Sequence, residues 1–101
     1  GLTGWLKTLS GEVARDGVLV NSVCTGMFDT DRLQELFEIR AAASGRSPAE
    51  ERAAMEREIP VGRIGRLEEF CALIAFLASE RASFVNGAAI PIDGGSTRGL
   101  L

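Results

Sequence analysis

The stretch from Val20 to Thr30, VNSVCTGMFDT, contains the residues best placed to bind a ligand. The run that begins at Val18 lacks the polar alternation of a half-exposed strand, which is typical of a strand covered on both faces in a parallel sheet. Thr25 and Gly26 then break this pattern, and Thr30 leads into a helical one. Open α/β sheets bind ligands where such strands end. We therefore expect this turn to form part of a site where chemistry takes place.

The composition excludes several other catalytic centres from this chain. Its 101 residues include no histidine and no tyrosine, and its two cysteines, Cys24 and Cys71, lie far apart in the sequence. The chain alone therefore cannot supply a histidine-containing triad, a cysteine–histidine nucleophile or a clustered metal site. Each cysteine lies in an apolar segment, so we expect two buried free thiols, as in a cytoplasmic protein, rather than a disulfide or a metal site.

Charge and hydropathy narrow the range of partners. A net charge of −3 offers no basic surface for nucleic acid or for an anionic membrane. The longest apolar stretch, Phe70 to Ala78, is far shorter than the ~20 residues of a membrane-spanning helix. We therefore expect neither a nucleic-acid partner nor a membrane, and a chain of this length makes at most one domain.

Periodicity indicates the elements that would position the turn. We expect strands at residues 18–23 and 88–92, and a first helix over residues 1–15 that Gly17 ends in the left-handed conformation. This helix carries a stripe of small residues that requires a closely packed neighbour, namely Gly1, Gly4, Thr8 and Gly11. Helices placed between two strands are the connection typical of a parallel sheet.

A second helix is predicted directly after the turn. Thr30 and Asp31 are residue types that cap helices, and the apolar pattern that follows predicts a helix over residues 32–43. Its inward side is expected to carry Leu33, Leu36, Phe37 and, at the edge of the stripe, Arg40.

Two more helices are predicted before the last strand. Ser47, followed by proline and then by Glu50, has the spacing of a capping box, so a helix is expected to carry residues 51–57. Its content of alanine, glutamate and arginine predicts a surface position. The helix predicted over residues 66–79 is apolar around almost its whole circumference, whereas a surface helix keeps a polar face.

Several stretches of the chain resemble one family. Residues 20–30, VNSVCTGMFDT, are similar to the pattern V-N-x-V/I-x-P-G-x-I/V-x-T of the short-chain dehydrogenases/reductases. Residues 59–69, IPVGRIGRLEE, are similar to the family's I-P-x-G-R-x-G-x-P-E-E. The resemblance continues through AFLAS at residues 75–79 and through FVNG and IDGG near the end. The pattern is most similar to that of bacterial 3-oxoacyl carrier-protein reductases.

The resemblance implies an α/β fold: the C-terminal part of a doubly wound parallel-sheet Rossmann domain, with two strands and flanking helices. Residues 1–101 would form this part of one NAD(P)-binding domain, with residues 31–58 as the substrate lid. The family's Tyr-x-x-x-Lys pair would precede Gly1, and no glycine-rich phosphate fingerprint is present. The implied partners are the missing N-terminal part of the same enzyme and further copies of the chain, as a dimer or tetramer joined through residues 66–79 and 88–92.

The resemblance assigns cofactor contacts to four residues: Thr25, Gly26, Phe28 and Thr30. In the family, the threonine and the preceding turn contact the carboxamide and phosphates of NAD or NADP. Thr25 departs from the family pattern, which has proline there, so a fixed φ angle is lost and a hydroxyl is gained. That hydroxyl could bond locally or to the ligand. The alternative interpretation is that Thr30 or the following aspartate only caps a helix after a structural turn.

Three other polar residues have structural interpretations that we favour. Asn21 is expected to tie the end of the first strand to neighbouring backbone, because a buried amide must be hydrogen-bonded. Arg63 and Arg66 are expected to pair with Glu68, Glu69 or backbone carbonyls rather than to bind an anion.

Two further features have competing interpretations. Phe37 and Ile39 could line an apolar acyl pocket, or they could pack in the core beneath the lid. The segment from Asp93 to Gly99 could suggest a phosphate cradle, but such loops open a helix, and we expect a terminal turn instead.

Membership of this family implies a complete enzyme that transfers hydride between NAD(P) and a carbonyl or alcohol, with a 3-oxoacyl thioester as one candidate substrate. The chain by itself is expected to be inactive, because the tyrosine and lysine that carry out the proton chemistry would lie outside it. One alternative is a non-catalytic association module that dimerises through exposed apolar surface. Another is an independent small ligand-binding domain, which is disfavoured because no complete pocket is evident in the sequence.

Overall fold

The computed structural model describes residues 1–97. Its helices and strands follow the order α1 (Leu2–Val13), β1 (Ser22–Thr25), α2 (Asp31–Ser44), α3 (Pro48–Glu58), α4 (Leu67–Leu77) and β2 (Ala89–Ile92). Short 3-10 turns follow α1 at Ala14–Asp16 and α4 at Glu80–Ala82. None of the helices in this part of the chain has both the length and the apolar character needed to cross a bilayer.

The two strands form a parallel pair, which confirms the predicted α/β fold class. Ser22 lies opposite Ala89, and Thr25 lies opposite Ile92. The predicted bounds of the first strand, 18–23, are wrong, because pairing with β2 begins only at Ser22. Before that point the carbonyl of Val20 accepts from the N–H of Gly87 at 2.8 Å, but its own N–H donates to the side-chain Oδ1 of Asn86 at 3.0 Å, so a side chain takes the place of one backbone partner.

Two asparagines join the start of the strand pair to its surroundings. Asn21 Nδ2 donates to the carbonyl of Val85 at 3.0 Å, and its Oδ1 accepts from the N–H of Ala88 at 3.0 Å. This confirms its predicted structural role. Asn86, which the sequence did not single out, donates through Nδ2 to the carbonyl of Ser10 at 3.1 Å. A carboxamide both donates and accepts, so each asparagine bridges two backbone segments.

The predicted helix caps are confirmed, while the helices predicted over residues 1–15 and 66–79 are shorter, at Leu2–Val13 and Leu67–Leu77. Thr30 caps α2, because its hydroxyl oxygen accepts from the N–H of Leu33 at 3.3 Å. Ser47 and Glu50 form the complete capping box of α3, with both reciprocal bonds at 3.1 Å. Gly17 follows the 3-10 turn at the end of α1 with φ +77°, a left-handed conformation that favours glycine. These ends depend on neighbouring residues alone, so local sequence determines them.

A small apolar core lies between α2, α3 and the segment before α4. Leu33, Phe37, Ile59 and Ile64 are buried, and the partly buried Leu36 and Met55 pack against them. The inward side of α2 ends with the buried Ala41, whereas Arg40 is exposed, which corrects the prediction at that edge. Phe37 therefore belongs to the core.

The predicted surface position of α3 holds for most of its residues, with one exception. Glu51 is buried, with only 7% of its surface exposed. Its Oε1 accepts from the hydroxyl of Ser44 at 2.7 Å and from Nε of Arg46 at 3.1 Å. These bonds lower the pKa of Glu51, with the Ser44 hydroxyl as the largest cause. The buried carboxylate therefore fixes the turn between α2 and α3.

The apolar helix α4 leaves much of its surface uncovered. No residue of α4 is buried, and Leu67, Ile74 and Phe76 are 46%, 40% and 44% exposed. Cys71 is exposed and Cys24 is half-buried, so the expectation of two buried thiols is wrong, although both cysteines are free. An apolar sequence environment does not bury a thiol when the chain supplies nothing to pack against that face.

Candidate functional site

A cavity of about 600 Å³ lies at the carboxyl end of β1, between the following turn, α2 and the start of α4. The structure brings all four predicted cofactor residues, Thr25, Gly26, Phe28 and Thr30, to its wall. The remaining wall is mainly apolar and is formed by Met27, Leu33, Leu36, Ile39, Leu67 and Phe70. Sequence reasoning did not predict so large a cavity within this chain, because three separate segments must meet to form it.

The turn after β1 packs against the end of β2 without a gap. The N–H of Gly26 donates to the carbonyl of Ile92 at 3.0 Å and extends the ladder by one bond. A Cβ atom at Gly26 would lie 2.7 Å from both Cα and Cβ of Asp93, closer than real contacts allow. Glycine at this position is therefore explained by the packing of two backbones, whatever ligand the turn binds.

The turn is also paired with the segment that leads into α4. The N–H of Gly65 donates to the carbonyl of Met27 at 3.0 Å, and the N–H of Asp29 donates to the carbonyl of Gly65 at 2.9 Å. Phe28 and Phe70 meet edge to face, with ring centroids 5.5 Å apart and an interplanar angle of 67°. These contacts place the first turn of α4 in the cavity wall. Gly65 belongs to the G-R-x-G motif at residues 62–65, and this motif is the sequence feature that could have indicated its contact with the turn.

The hydroxyl of Thr30 has two sides that can bond separately. Its oxygen accepts the helix-capping bond from Leu33, which leaves the O–H proton able to donate to another group. The cap interpretation is therefore confirmed, and it is compatible with a ligand contact because Thr30 also lines the cavity.

The two residues considered for an apolar acyl pocket, Phe37 and Ile39, lie in different places. Phe37 is 1% exposed in the core, whereas Ile39 is 67% exposed and lines the cavity.

An ion pair outside the cavity wall joins the turn after β1 to α3. Asp29 accepts from Nη1 and Nη2 of Arg52 at 3.2 and 3.0 Å, and from Nε2 of Gln34 at 3.0 Å. Hydrogen bonds from Arg52 and then from Gln34 lower the pKa of the Asp29 carboxyl. The same carboxylate raises the pKa of Arg52. Arg32 and Glu35 lie in the cavity wall itself.

A second bidentate pair lies at the start of α4. Arg63 donates from Nη1 and Nη2 to the two carboxylate oxygens of Glu69 at 2.7 and 3.0 Å. The backbone N–H of Arg66 also donates to Oε1 of Glu69 at 2.9 Å. The predicted pairing of these arginines is thus confirmed, with Glu69 rather than Glu68 as the partner. The Arg63 bonds, followed by the Arg66 N–H, lower the pKa of Glu69 to about 2.

The segment after β2 is a turn over its described part, residues 93–97, as predicted; Arg98 and Gly99 lie outside the described residues. The Asp93 carboxylate accepts from the N–H groups of Gly95 and Thr97 at 2.9 and 3.0 Å, and also from the Thr97 hydroxyl. These bonds lower the pKa of Asp93, the Thr97 hydroxyl being the largest cause. The backbone N–H groups of the turn thus bind its own aspartate.

The parallel pair, the helical connection and a cavity at the strand end are the arrangement of a Rossmann-type α/β protein. A family model described as enoyl-(acyl carrier protein) reductase matches residues 1–97. The 3-oxoacyl-(acyl-carrier-protein) reductases of Pseudomonas aeruginosa and Salmonella typhimurium are 38% and 35% identical over 95 residues. That match covers 94% of this chain and 34% of either relative, so the chain spans about a third of their length.

Solved structures agree with this result. A short chain dehydrogenase family protein from Francisella tularensis has a TM-score of 0.86 and 36% identity, over 94% of this chain and 39% of that one. The L-sorbose reductase of Gluconobacter frateurii, complexed with NADPH and L-sorbose, has a TM-score of 0.87 and 29% identity, over 98% and 38%. The chain belongs to the short-chain dehydrogenase/reductase family.

The lowered pKa of Glu69 predicts a pH-dependent stability. A carboxyl whose pKa falls on folding stabilises the folded state above its unfolded pKa, and this stabilisation is lost as the pH falls through the folded pKa. We expect Glu69→Gln to destabilise the protein near neutral pH, and the difference from the wild type to shrink between pH 4.5 and about 2. Urea denaturation of both proteins at a series of pH values measures this difference in the free energy of unfolding.

The control for this experiment is Glu68→Gln, which changes the same charge on the exposed neighbouring residue. Glu68 forms none of the ion pairs found within residues 1–97, so we expect a smaller effect on stability near neutral pH. A Glu69→Gln difference that stays constant between neutral pH and pH 2 would contradict the assignment.

Proposed function

We propose that this chain is the C-terminal part of an NAD(P)-dependent oxidoreductase, which transfers hydride between the nicotinamide and a carbonyl or alcohol. The observation that carries the proposal is the cavity at the end of β1, which Thr25, Gly26, Phe28 and Thr30 all line. One similar structure is of an NADPH-dependent reductase, and another is complexed with NADPH. They support a nicotinamide cofactor, with NAD and NADP both as candidates.

The residues present fit one side of such a cofactor. Thr30 keeps an O–H donor for a polar group such as a carboxamide. Gly26 allows the turn to pack directly against the end of β2, so a ligand above the turn would contact backbone that is held in place. The cofactor would supply the hydride, and the protein would orient it. In this proposal the proton chemistry belongs to the family's tyrosine and lysine, outside these 101 residues.

The wall of the cavity favours an apolar substrate, with a 3-oxoacyl thioester as the candidate. Leu36 and Ile39 of α2 face the cavity together with Phe70 of α4, and such side chains gain by contact with an acyl chain rather than a sugar. We propose that residues 31–58, which comprise α2 and α3, act as the substrate lid. Arg32 and Glu35 are the charged groups available to a polar end of the substrate.

The proposed activity is tested on the complete enzyme and on the isolated chain. We expect the complete enzyme to oxidise NADPH or NADH with a 3-oxoacyl thioester, followed by the fall in nicotinamide absorbance. We expect residues 1–101 alone to show neither turnover nor a saturable rise in NAD(P)H fluorescence, because the phosphate-binding fingerprint and the proton donor are missing. Saturable fluorescence with the isolated chain would overturn this expectation.

The cofactor role of Thr30 is tested by Thr30→Val, which removes the hydroxyl with little change in shape. We expect the cofactor KM to rise about tenfold, as for the loss of one hydrogen bond to a polar ligand group worth roughly 1.5 kcal/mol. Ser47→Ala is the matched control, because it removes the capping hydroxyl of α3, outside the cavity wall. A folded Thr30→Val enzyme with unchanged cofactor KM would leave Thr30 with its capping role alone.

Association with a second copy is supported by the exposed apolar side chains on and after α4. Ile74 and Phe76 of α4 are 40% and 44% exposed, and Phe84 after α4 is fully exposed. Fully burying a side chain of this kind stabilises by roughly 1.5–3 kcal/mol, so a covering partner is favourable. We propose that a second copy covers this surface within the active enzyme, in line with the resemblance to a family that forms oligomers through this helix and the last strand.

Association is tested by sedimentation of the complete enzyme with and without Phe76→Asp. We expect the unchanged enzyme to sediment as a dimer or tetramer, and Phe76→Asp to give a smaller, folded species, because a charge cannot be buried in an apolar contact without cost. A variant that unfolds would indicate that the enzyme's own polypeptide covers Phe76. A folded monomer for the unchanged enzyme at micromolar concentration would exclude the proposed association.

A further inference from the structure

The ion pair between Asp29 and Arg52 joins the two sides of the cavity from outside. Neither residue lines the cavity, yet Asp29 belongs to the turn that forms one wall, and Arg52 lies on α3, which packs against α2 behind the other wall. The guanidinium fork and the carboxylate meet through two bonds of 3.2 and 3.0 Å. Such bidentate pairs are geometrically specific, so they fix an orientation as well as a distance.

The turn side of this ion pair is firmly held. The backbone N–H of Asp29 donates to the carbonyl of Gly65 at 2.9 Å. Its side chain also accepts a bond from Gln34 of α2, which is a second link between the turn and the helices. On the α3 side, Nε of Arg52 lies 3.5 Å from Oε1 of Glu56, one helical turn further along α3. This contact orients the guanidinium. Arg52 therefore links α3 to a carboxylate that is already fixed with respect to the sheet.

The apolar contacts of α3 are too few to fix its position by themselves. Within α3 the half-buried Met55 packs against the core, and the buried Ile59 caps the end of α3 in the core. The helix α2 contributes the buried Leu33 and Phe37.

The two helices join the rest of the chain at both ends, at Thr30 and at Ile59, and the segment after Ile59 pairs with the turn through Gly65. Arg52 adds a side-chain link between α3 and the turn, at Asp29.

We propose that Arg52 is a positioning residue of the substrate site: through Asp29 it holds α2 and α3 closed against the turn, and it thereby sets the affinity for an apolar substrate. This inference rests on the proposed function. Pivoting of α2 would move Leu36 and Ile39 away from Phe28 and admit water to the acyl-binding wall. The cofactor contacts on the turn would stay in place, because the ladder to β2 and the pairing with Gly65 hold them.

The first experiment compares Arg52→Gln, Arg52→Lys and Arg57→Gln in the complete enzyme. For Arg52→Gln we expect a rise of about fivefold in KM for a medium-chain 3-oxoacyl thioester, since a partly exposed ion pair is weak but a bidentate one is stronger. The cofactor KM should not change. Arg52→Lys keeps the charge without the fork and should fall between Arg52→Gln and the wild type. Arg57→Gln removes the same charge from an exposed position on α3 and should have no effect.

The second experiment is a double-mutant cycle with Asp29→Asn, which keeps an acceptor for Gln34 but loses the ionic partner of Arg52. If the two residues act through their contact, the double variant should raise the substrate KM no more than either single variant does. Additive effects, or an unchanged substrate KM in folded Arg52→Gln, would overturn the proposal. Equal rises in the substrate and cofactor KM would also overturn it, because they indicate a general loss of structure.

Hydrogen exchange separates this proposal from the proposed function. We expect Arg52→Gln to speed exchange at the amides of α3 and not at those of β1 and β2, whether or not the enzyme turns over a 3-oxoacyl thioester. If the wild type reduces no such substrate, the proposed function fails, while the exchange pattern still decides whether Arg52 holds the helices. Unchanged exchange in α3 would contradict the positioning role.

Discussion

The close approach of the turn after β1 to the end of β2 is the contact on which the rest of the site depends. The ladder of four residue pairs continues into the bond from Gly26 to Ile92, where a side chain at position 26 would collide with Asp93. Backbone hydrogen bonds of this kind leave no freedom for the turn to shift along the sheet. Phe28 and Thr30 consequently occupy definite positions at the strand end, and the helix that Thr30 caps begins from a fixed point.

A second backbone pairing brings the other wall of the site into place. Gly65 exchanges hydrogen bonds with Met27 and Asp29, and an added Cβ at Gly65 would lie 2.8 Å from the ring of Phe28. Two glycines thus permit two close approaches, one to β2 and one to the segment before α4. The cavity exists because the same short turn is held on both sides. The ion pair of Arg63 with Glu69 then anchors the first turn of α4 next to it.

Local features of this structure could be predicted from the sequence, and tertiary ones could not. The caps at Ser47 and Thr30 depend on residues within one helical turn, so their spacing identifies them. The four turn residues line one cavity because they follow one strand end, and their cofactor role stays a prediction. Burial of Glu51 and exposure of Cys71 depend on what neighbouring elements supply, and no periodicity reports that. The predicted start of β1 was wrong for the same reason. The N–H of Val20 donates to the side chain of Asn86, 66 positions later, instead of to a strand backbone.

The two sides of the site are held by different forces, and this difference has a physical consequence. Backbone ladders and glycine contacts hold the turn, whereas side-chain ion pairs and a core of a few residues hold α2 and α3. The apolar core of the described residues lies with α2 and α3, and no residue of β1 or β2 is buried. The turn therefore keeps its position through backbone bonds that no single side chain supplies, whereas the position of α2 and α3 depends on individual side chains.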